Sequence, residues 1–388
     1  MRSHRLLLSA LVALTASATA CRKSQAQGTA SSADCLLVED GWGQDGAVPL
    51  TVDVVAEGLE VPWGVAFLPD GDALITERPG RVRLLRGGQL QAKPVATLPI
   101  ASSSEGGLLG IAAHPDFATN RQFYLYVTTD VDGKAQNRVE RWTLGAEGTG
   151  AAFERVIHGG IPSATYHDGG RLRFGPDGML YVGTGDARDP DLSQDPASPA
   201  GKLLRLTPDG AVPQDNPSPS SPAFLSGLRN TQGFDWKDAT TLYVTDHGPS
   251  GETLRRAHDE VNVAKAGDNL GWPGIYSCET QEGRVTPSLT FGDAMPPGGA
   301  AVYTGTAIPE WRGSLLVGTL KSRHLHRVEF DARAPHRVAR HEVYLRDTYG
   351  RLRDVLMGPD GHLYVTTSNC DGRGDCGARK DLLLRIRR

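Results

Sequence analysis

Short apolar runs, each preceded by a polar turn, recur along the chain. One copy has GPDG at residues 175–178, followed by MLYV at residues 179–182. Glycine, proline and aspartate in such a cluster are typical of a tight turn, and a short apolar run after a turn is typical of a buried strand. The pattern therefore predicts a turn that leads into a short buried strand.

The same turn and strand return at intervals along the chain. Six copies begin at Leu68, His114, Gly175, Asp235, Ile308 and Gly358, of which those at Asp235 and Ile308 are degenerate. Their spacing of roughly 45 to 70 residues fits a four-stranded blade, and radial repetition of blades limits exposed sheet edges. We therefore predict an all-β fold, a six-bladed β-propeller of four-stranded antiparallel blades. Six unrelated hairpins in two sandwiches are the alternative.

The composition agrees with one large β-domain. The chain has 47 Gly and 25 Pro in 388 residues, and its net charge of −4 combines interspersed acidic and basic residues. Interspersed charge does not track a phosphate backbone, which argues against nucleic-acid binding. We assign the propeller domain to residues 46–388 and predict small molecules or other proteins as partners.

The N-terminus has the pattern of a targeting segment. Arg2, His4 and Arg5 precede an apolar stretch over residues 6–20, which predicts a signal peptide over residues 1–20 and export to the periplasm. The small residues that end this stretch fit ordinary cleavage, and SATAC at residues 17–21 also loosely fits a lipoprotein box, with membrane anchoring through lipidated Cys21. Both interpretations remain open. Residues 21–45 are predicted to form a flexible tether.

The cysteine count bears on that choice. Five cysteines are an odd number for an oxidising compartment, whereas lipidation of Cys21 would leave four to pair. Cys370 and Cys376 bracket a short flexible loop that a local disulfide could close, which leaves Cys35 with Cys278 as the preferred second pair. Four cysteines allow three connectivities, and the other two remain possible. A zinc site is a weaker interpretation because ligand spacing is absent.

Polar clusters follow several of the predicted strands. His167 and Asp186 stand at the two ends of one hairpin, whose length allows the ends to meet. Residues 226–234 contain an arginine, two amides and glycines that let a backbone approach a ligand, and Lys321 lies in a further polar segment. Arg351 and Arg353 alternate along a strand, so both would face a polyanionic ligand, or else pair with neighbouring acids.

A further polar segment suits a hard cation. Residues 245–251 place backbone carbonyls beside glycine and proline, and the acidic residues Asp259 and Glu260 follow shortly after. Oxygen donors of these kinds are preferred by calcium. Aspartate and glycine are also common in ordinary turns, which is the alternative interpretation.

From about Val61 to the C-terminus, the chain resembles the soluble quinoprotein glucose/sorbosone dehydrogenases, including bacterial aldose sugar dehydrogenases. The resemblance rests on VPWG at residues 61–64, EGGLLG at 105–110, HPDF at 114–117, His167 with GRL at 170–172, RNTQG at 229–233, HGP at 247–249, DEVN at 259–262, GDNLGWP at 267–273 and RLRDV at 351–355. Members of this family fold as six-bladed propellers. The resemblance implies the cofactors pyrroloquinoline quinone (PQQ) and calcium, and oxidation of an aldose C1 hydroxyl to the lactone.

The resemblance also implies a role for individual residues. His167 matches the general base, Asp186 the carboxylate that orients it, and Arg229 the cation beside the reacting quinone oxygen. The matches to cofactor contacts are Asn230, Gln232, Lys321, Arg351 and Arg353. The carbonyls of Gly248 and Pro249 match the cofactor calcium site, and Glu260 with the Leu270 backbone matches a second calcium site. The implied partners are small aldose sugars and an electron acceptor (a quinone, a cytochrome or a dye), with a monomer or homodimer as the assembly.

The chain departs from the family pattern at three places. Residues 253–258 form an insertion between the two segments of the predicted cation site. Glu105 and His247 stand where some members carry glutamine, and a carboxylate at position 105 would repel a tricarboxylate cofactor unless it is distant or paired. Two other functions are therefore considered, a non-catalytic secreted propeller that binds sugar or protein, and a calcium-dependent lactonase or other hydrolase. A lactonase would need metal-bound carboxylates along the axis.

Overall fold

The computed structural model describes residues 33–101, 104–251 and 254–388, and these consist almost entirely of strands and loops. One short α-helix spans Phe117–Asn120, and the described 3-10 helices span Ala146–Gly148, Pro190–Ser193 and Pro309–Trp311. The strands form six mainly antiparallel sheets. The predicted six-bladed β-propeller is therefore confirmed. The predicted signal peptide and Cys21 lie outside the described residues.

The blades follow one another along the chain, and in blades 1 to 5 the strands run in chain order from the innermost outward. Blade 1 contains Pro62–Phe67, Ala73–Glu77, Arg81–Arg86 and Gln89–Leu90, with Ala96–Thr97 paired to its third strand. Blade 2 contains Leu108–Ala113, Gln122–Val131, Lys134–Leu144 and Ala151–Pro162, and blade 3 contains Leu172–Phe174, Leu180–Gly183, Leu203–Leu206 and Ala223–Leu225. Blade 4 contains Gly233–Trp236, Leu242–Asp246, Glu260–Ala264 and Leu289–Phe291. Blade 5 contains Pro297–Val302, Leu315–Thr319, Leu325–Phe330 and Val338–Tyr344.

Blade 6 joins the two ends of the propeller. Its strands Leu352–Met357, Leu363–Thr367 and Asp381–Arg387 come from the C-terminal part of the chain, and Thr51–Leu59 adds the outermost strand. The pairing is antiparallel, with Val52 opposite Ile386. The N-terminal strand therefore closes the ring through backbone hydrogen bonds. It also pairs with the edge of the third strand of blade 6, which would otherwise be exposed.

The predicted turn and strand units have a common place in the fold. Each of the six joins the innermost strand of a blade to its second strand. In the copy at Gly175, the Asp177 carboxylate accepts a hydrogen bond from Met179 N at 3.1 Å, and Gly178 has a φ of 73°. Aspartate satisfies the backbone of the turn and glycine adopts the left-handed conformation, which explains why these residue types recur.

The hydrophobic core lies between neighbouring blades. One cluster combines Leu74 and Val82 of blade 1 with Phe123 and Leu125 of blade 2, and all four side chains are buried. The innermost strands also approach closely, since a Cβ on Gly110 would lie 2.1 Å from the Gly170 carbonyl oxygen. This packing fixes the six inner strands around a common axis, and with them the loops at each end of the axis.

The two disulfides have the predicted connectivity, Cys35–Cys278 and Cys370–Cys376. The structure differs from the prediction in the last part of the tether assigned to residues 21–45. There Leu36–Val38 pairs in parallel with Leu289–Phe291 at the outer edge of blade 4, beside the first disulfide. The covalent link to Cys278 explains the ordered pairing. None of the described helices has the length and apolar character of a membrane span.

Candidate active site

A cavity of about 760 Å³ opens where loops from all six blades meet at one end of the axis. The innermost strand of each blade begins at this end, and the antiparallel second strand finishes there. Loops before the first strand and after the second strand therefore converge on the axis. The described lining of the cavity includes predicted site residues together with Trp63, Arg78, Glu105, Tyr166, Arg188, His247, Ser250, Pro296, Leu320 and Arg373.

The predicted catalytic and cofactor-binding residues meet in this cavity. His167, Asp186, Arg229, Asn230, Gln232, Lys321, Arg351 and Arg353 all line it, although they come from four different blades. The predicted metal ligands Gly248, Pro249, Glu260 and Leu270 are outside the set of described residues that line the cavity. The structure thus brings the first group together in the cavity lining, whereas the second group is not part of the described lining.

His167 and Asp186 form a direct pair on the cavity wall. His167 Nδ1 lies 2.6 Å from Asp186 Oδ1, and the aspartate side chain is almost fully buried. Because a carboxylate oxygen accepts, the neutral imidazole carries its proton on Nδ1 and leaves the Nε2 lone pair for a ligand. The histidine has a φ of 70°, an uncommon conformation for a residue with a side chain. This arrangement can accept a proton from a bound hydroxyl group.

Two groups that the sequence did not single out hold the Asp186 carboxylate in place. Trp272 Nε1 donates to its Oδ2 at 2.9 Å, and the backbone N–H of Arg188 donates to its Oδ1 at 2.8 Å. Gly185 matters as well, because a Cβ there would lie 1.9 Å from the carbonyl oxygen of His167. Neighbouring groups therefore position both His167 and Asp186. In the sequence, the GDNLGWP motif was the signal from which a role for Trp272 could have been predicted.

Arg229 and Asn230 lie in the loop before blade 4, and the Asp246 carboxylate anchors their backbone. The backbone N–H groups of the two residues donate to the Asp246 carboxylate at 2.6 and 2.7 Å. Burial raises the pKa of Asp246 to about 7, against the opposing effect of these hydrogen bonds. The Arg229 guanidinium is buried and lies 5.6 Å from the Trp272 ring. A fixed positive charge therefore faces the same cavity as His167.

Arg351 and Arg353 both reach the cavity, and they also pair with an acid. Asp371 Oδ2 accepts from Arg351 Nε at 3.0 Å and from Arg351 Nη2 at 2.8 Å, and it lies 3.7 Å from Arg353 Nη2. Arg353 Nη1 donates to Gln232 Oε1 at 2.5 Å, whereas its buried Nε has no partner among the described residues. Burial lowers the pKa of Arg353 to about 9. The two interpretations from the sequence, ligand contact and pairing with an acid, are compatible.

Glu105 and His247, the two departures from the glutamine pattern, are both accommodated. Glu105 Oε1 accepts from Arg373 Nη1 at 2.8 Å and Oε2 accepts from His167 N at 3.1 Å. Burial acts to raise the pKa of Glu105, but these partners outweigh it and the pKa is lowered. Burial lowers the pKa of His247 to about 3, so the ring is neutral and Nε2 donates to Pro297 O at 2.6 Å. The carboxylate is therefore paired, and the histidine acts as a neutral donor.

The described end of the insertion, at Ala257 and His258, packs against Gly248 and Pro249 of the predicted cation site. Ala257 N donates to Pro249 O at 2.9 Å, and Asp259 Oδ1 accepts from Gly248 N at 2.9 Å. Both oxygens of Asp259 are engaged, since Oδ2 accepts from Met295 N at 2.6 Å. No group of three or more His, Cys, Asp or Glu residues suited to a metal occurs in the described part of the chain. One of the two predicted carbonyl ligands is thus already hydrogen-bonded.

Glu260 has a different environment, at the interface between blades 3 and 4. Asn262 Nδ2 donates to Glu260 Oε2 at 3.2 Å, and Thr290 is its cross-strand neighbour. The buried oxygens Asn262 Oδ1 and Thr290 Oγ1 have no partner among the described residues. Burial raises the pKa of Glu260 well above its usual value, and the carboxylate of Asp246 adds to the effect. Leu270 is buried in the same interface. Two buried oxygens without a described partner thus belong to residues that neighbour Glu260.

Lys202 anchors the loop that contributes Arg188 and Pro190 to the cavity lining. Its buried ammonium donates to the carbonyl oxygens of Leu192, Ser193 and Ala200 at 2.8, 3.0 and 2.8 Å. Burial lowers its pKa to about 8. The loop is anchored to the core by this contact, which the sequence did not reveal because nothing local distinguishes Lys202 from a surface lysine.

The fold and this cavity define a family. The family model described as "Glucose / Sorbosone dehydrogenase" matches residues 59–385, and the chain belongs to that family. Two curated relatives are enzymes by name. The chain is 33% identical to aldose sugar dehydrogenase YliI of Escherichia coli (strain K12), over 84% of this chain and 92% of the relative. It is 26% identical to quinoprotein glucose dehydrogenase B of Acinetobacter calcoaceticus, over 81% and 84%.

A solved structure supports the same relationship. The PQQ-bound form of aldose sugar dehydrogenase from Streptomyces coelicolor superposes with a TM-score of 0.77. The two chains are 35% identical, and the alignment covers 87% of this chain and 98% of that one. The family membership predicted from the motifs is therefore confirmed along nearly the whole propeller.

Proposed function

We propose that this chain is a PQQ- and calcium-dependent aldose sugar dehydrogenase that oxidises the C1 hydroxyl of an aldose to the lactone. The observation that carries the proposal is the His167–Asp186 pair, with its 2.6 Å contact, on the wall of a cavity lined by arginines. The PQQ-bound relative, 35% identical to this chain, supports the choice of cofactor. A non-catalytic binding propeller would not need a buried carboxylate behind a histidine.

The cavity fits a polyanionic cofactor. PQQ carries three carboxylates, and guanidinium groups bind carboxylates through paired hydrogen bonds. The candidate contacts are Asn230, Gln232, Lys321, Arg351 and Arg353, of which Arg353 keeps a buried Nε without a described partner. Such a buried donor favours an incoming acceptor. When bound, PQQ would supply the quinone that accepts the hydrogen and two electrons from C1.

His167 would act as the general base. With Nδ1 bonded to Asp186, Nε2 can take the proton of the C1 hydroxyl as the C–H bond is broken. Asp186 then stabilises the imidazolium, and its own orientation is fixed by Trp272 and by the N–H of Arg188. Arg229 would offset negative charge that develops in the cavity. Together these residues would accept the hydroxyl proton and stabilise the charges that form during the reaction.

Calcium enters the proposal at two places with unequal support. The carbonyls of Gly248 and Pro249 are a poorer fit, since Ala257 N already donates to Pro249 O. Asn262 Oδ1 and Thr290 Oγ1, which have no partner among the described residues, neighbour Glu260 and fit a hard cation better, with the Leu270 backbone in the same interface. We therefore propose a structural calcium at Glu260 and derive no step of the reaction through a metal.

The proposal includes export, because two disulfides form and persist in oxidising compartments. The periplasm is the proposed location, with lipidation at Cys21 and simple cleavage as the two routes. We propose that a quinone or a cytochrome takes the electrons in the cell, and a dye can replace it in an assay. The assembly, monomer or homodimer, stays a prediction.

A dye-reduction assay on the purified mature protein tests the proposal. Activity with a panel of aldoses should appear only after PQQ and calcium are added, and His167→Ala should abolish it while leaving the unfolding transition in place. His336→Ala, which alters an exposed histidine, is the matched control. No aldose oxidation, together with no cofactor binding in an absorbance titration, would favour a binding propeller instead.

A further inference from the structure

The disulfide Cys370–Cys376 closes a short loop that places Arg373 in the cavity lining and Asp371 against two arginines of that lining. The loop has the sequence DGRGD at residues 371–375 between the two cysteines, so that Gly372 and Gly374 flank Arg373 and Asp371 follows Cys370. Open glycine-containing segments lose much conformational entropy when they are ordered, and a covalent ring reduces that loss. The disulfide therefore favours one loop conformation, in which Arg373 lines the cavity and Asp371 contacts Arg351 behind it.

Asp371 contacts the two arginines, Arg351 and Arg353, that line the cavity. Its carboxylate accepts two hydrogen bonds from Arg351 and lies 3.7 Å from Arg353, and Ser368 Oγ donates to it at 3.2 Å. Arg78 Nη2 contacts its carbonyl oxygen at 3.3 Å. The Asp371 side chain is 2% exposed, and the side chains of Arg351 and Arg353 are 7% and 6% exposed. A buried carboxylate shared in this way fixes both guanidiniums in one orientation.

Arg373 connects the same loop to the proposed base. It donates to Glu105 Oε1 at 2.8 Å, and the other Glu105 oxygen accepts from the backbone N–H of His167 at 3.1 Å. The Arg373 guanidinium also lies 5.7 Å from the Tyr166 ring, next to His167 in sequence. The pair with Arg373 offsets the charge of Glu105, which would otherwise repel an anionic ligand in the same cavity.

We infer that the disulfide-closed loop is a positioning element of the active site: Asp371 orients Arg351 and Arg353, and Arg373 compensates Glu105 beside His167. The inference rests on the proposed function, because the ligand whose binding it prepares is the PQQ of that proposal. It also relates two features of this chain to each other. The carboxylate at position 105 is tolerated because the loop supplies its counter-charge.

The first test removes the disulfide and measures cofactor affinity by absorbance titration. In Cys370→Ser/Cys376→Ser we expect PQQ to bind about tenfold more weakly, a change of about 1.4 kcal/mol. Cys35→Ser/Cys278→Ser, which removes the disulfide at blade 4, should leave the affinity of the folded protein unchanged, with folding checked by circular dichroism. Equal affinity of the native protein and the Cys370→Ser/Cys376→Ser variant would overturn the inference. Failure of the native protein to bind PQQ would instead overturn the proposed function.

Asp371→Asn provides a second route if loss of the disulfide prevents folding. The amide keeps the size of the side chain and removes the charge that orients the arginines, so we expect a loss of PQQ affinity of about tenfold here as well. Circular dichroism and the unfolding midpoint establish that the variant is folded. A folded Asp371→Asn protein with native affinity would overturn the part of the inference that concerns Asp371.

The Arg373 contact is tested by rescue. Arg373→Gln leaves Glu105 uncompensated, and we expect kcat/KM to fall about tenfold, whereas Arg373→Lys should retain most of the activity. Adding Glu105→Gln to Arg373→Gln should restore kcat/KM to within about threefold of the native value, which a purely structural arginine would not allow. Arg379→Gln is the matched control, because Arg379 pairs with Glu57 at 2.7 Å outside the cavity lining. No rescue by Glu105→Gln would overturn this part of the inference.

Discussion

Trp272 Nε1 donates a hydrogen bond to Asp186 Oδ2 at 2.9 Å, although the two residues are 86 positions apart in the chain. The other oxygen of Asp186 contacts His167 Nδ1 and the N–H of Arg188. Each carboxylate oxygen therefore has a separate task, one towards the histidine and one towards the blade 4 loop. This contact places Trp272, which lies in the loop after the third strand of blade 4, beside the His167–Asp186 pair.

Trp272→Phe should lower activity without unfolding the protein. Phenylalanine keeps an aromatic ring for packing and removes only the indole donor, so Asp186 is less well oriented. We expect kcat/KM to fall about tenfold, since a hydrogen bond to a charged group is worth about 1.5 kcal/mol. Trp142→Phe is the matched control, because Trp142 donates to Glu140 at 2.8 Å in blade 2. Equal losses in both variants would contradict a specific role for Trp272.

Gly185→Ala should displace His167. A Cβ at this position would lie 1.9 Å from the His167 carbonyl oxygen, too close for any rotamer change to relieve. Misplacement of a reacting group by about 1 Å costs on the order of 100-fold in rate, and we expect a loss of kcat of that size. Gly159→Ala, whose Cβ would meet only Val156 at 3.6 Å, should have little effect in the same steady-state assay. Native kcat in Gly185→Ala would refute this account.

The fold could be predicted because its repeating unit is local. The turn at Gly175 and the strand after it contain the aspartate, glycine and apolar residues that determine their own geometry, and six such copies give the number of blades. The pairing of Leu36–Val38 with Leu289–Phe291 was missed, because pairing between segments so far apart in the sequence leaves no local pattern. The pairing of Thr51–Leu59 with the last strand of blade 6 also joins distant segments and leaves no local pattern.

The site was predictable to the extent that its residues lie at strand ends. His167 and Asp186 come from one hairpin, and the motifs at Arg229 and Arg351 follow the same rule, so all converge on the axis. Asp371, Trp272 and Lys202 were not assigned roles, because each acts through a contact with a distant segment. Long-range partners of this kind become visible only when the blades are assembled.

The stability of the protein should depend on pH through a buried histidine of blade 5. Burial lowers the pKa of His324 to about 4, from an ordinary value near 6.5 in the unfolded chain. Between pH 6.5 and pH 4 the unfolded state therefore binds more protons, and this residue lowers stability as the pH falls. In His324→Gln, the loss of unfolding free energy from pH 7 to pH 5 should be smaller by up to about 2 kcal/mol.

Urea unfolding at the two pH values measures this difference. Buried carboxyl groups such as Asp246 act in the opposite direction, but they are present in both proteins and cancel in the comparison. His336→Gln changes an exposed histidine and is the control. The prediction fails if His324→Gln and the native protein lose the same free energy on acidification.

The two disulfides should have separable effects. Cys35–Cys278 spans a sequence separation of 243, and closing so long a loop contributes up to about 5 kcal/mol in the chain-entropy description. Cys35→Ser/Cys278→Ser should therefore lower the free energy of unfolding in urea. Cys370–Cys376 spans only 6 and should change that free energy less. An unfolding midpoint that is more sensitive to the shorter bridge would contradict this order.

Calcium should stabilise the protein through Glu260. Oxygens of Asn262 and Thr290 that lack a partner in the described part of the chain neighbour this carboxyl group and provide donors for a hard cation. A ligand present at 100 times its Kd adds about 2.7 kcal/mol to the free energy of unfolding, so calcium should raise the Tm of the chelator-treated native protein and leave that of Glu260→Gln unchanged. Glu140→Gln is the control, because the oxygens of that buried carboxylate are bonded to Arg138 and Trp142. A calcium-dependent rise in Tm that survives in Glu260→Gln would place the cation elsewhere.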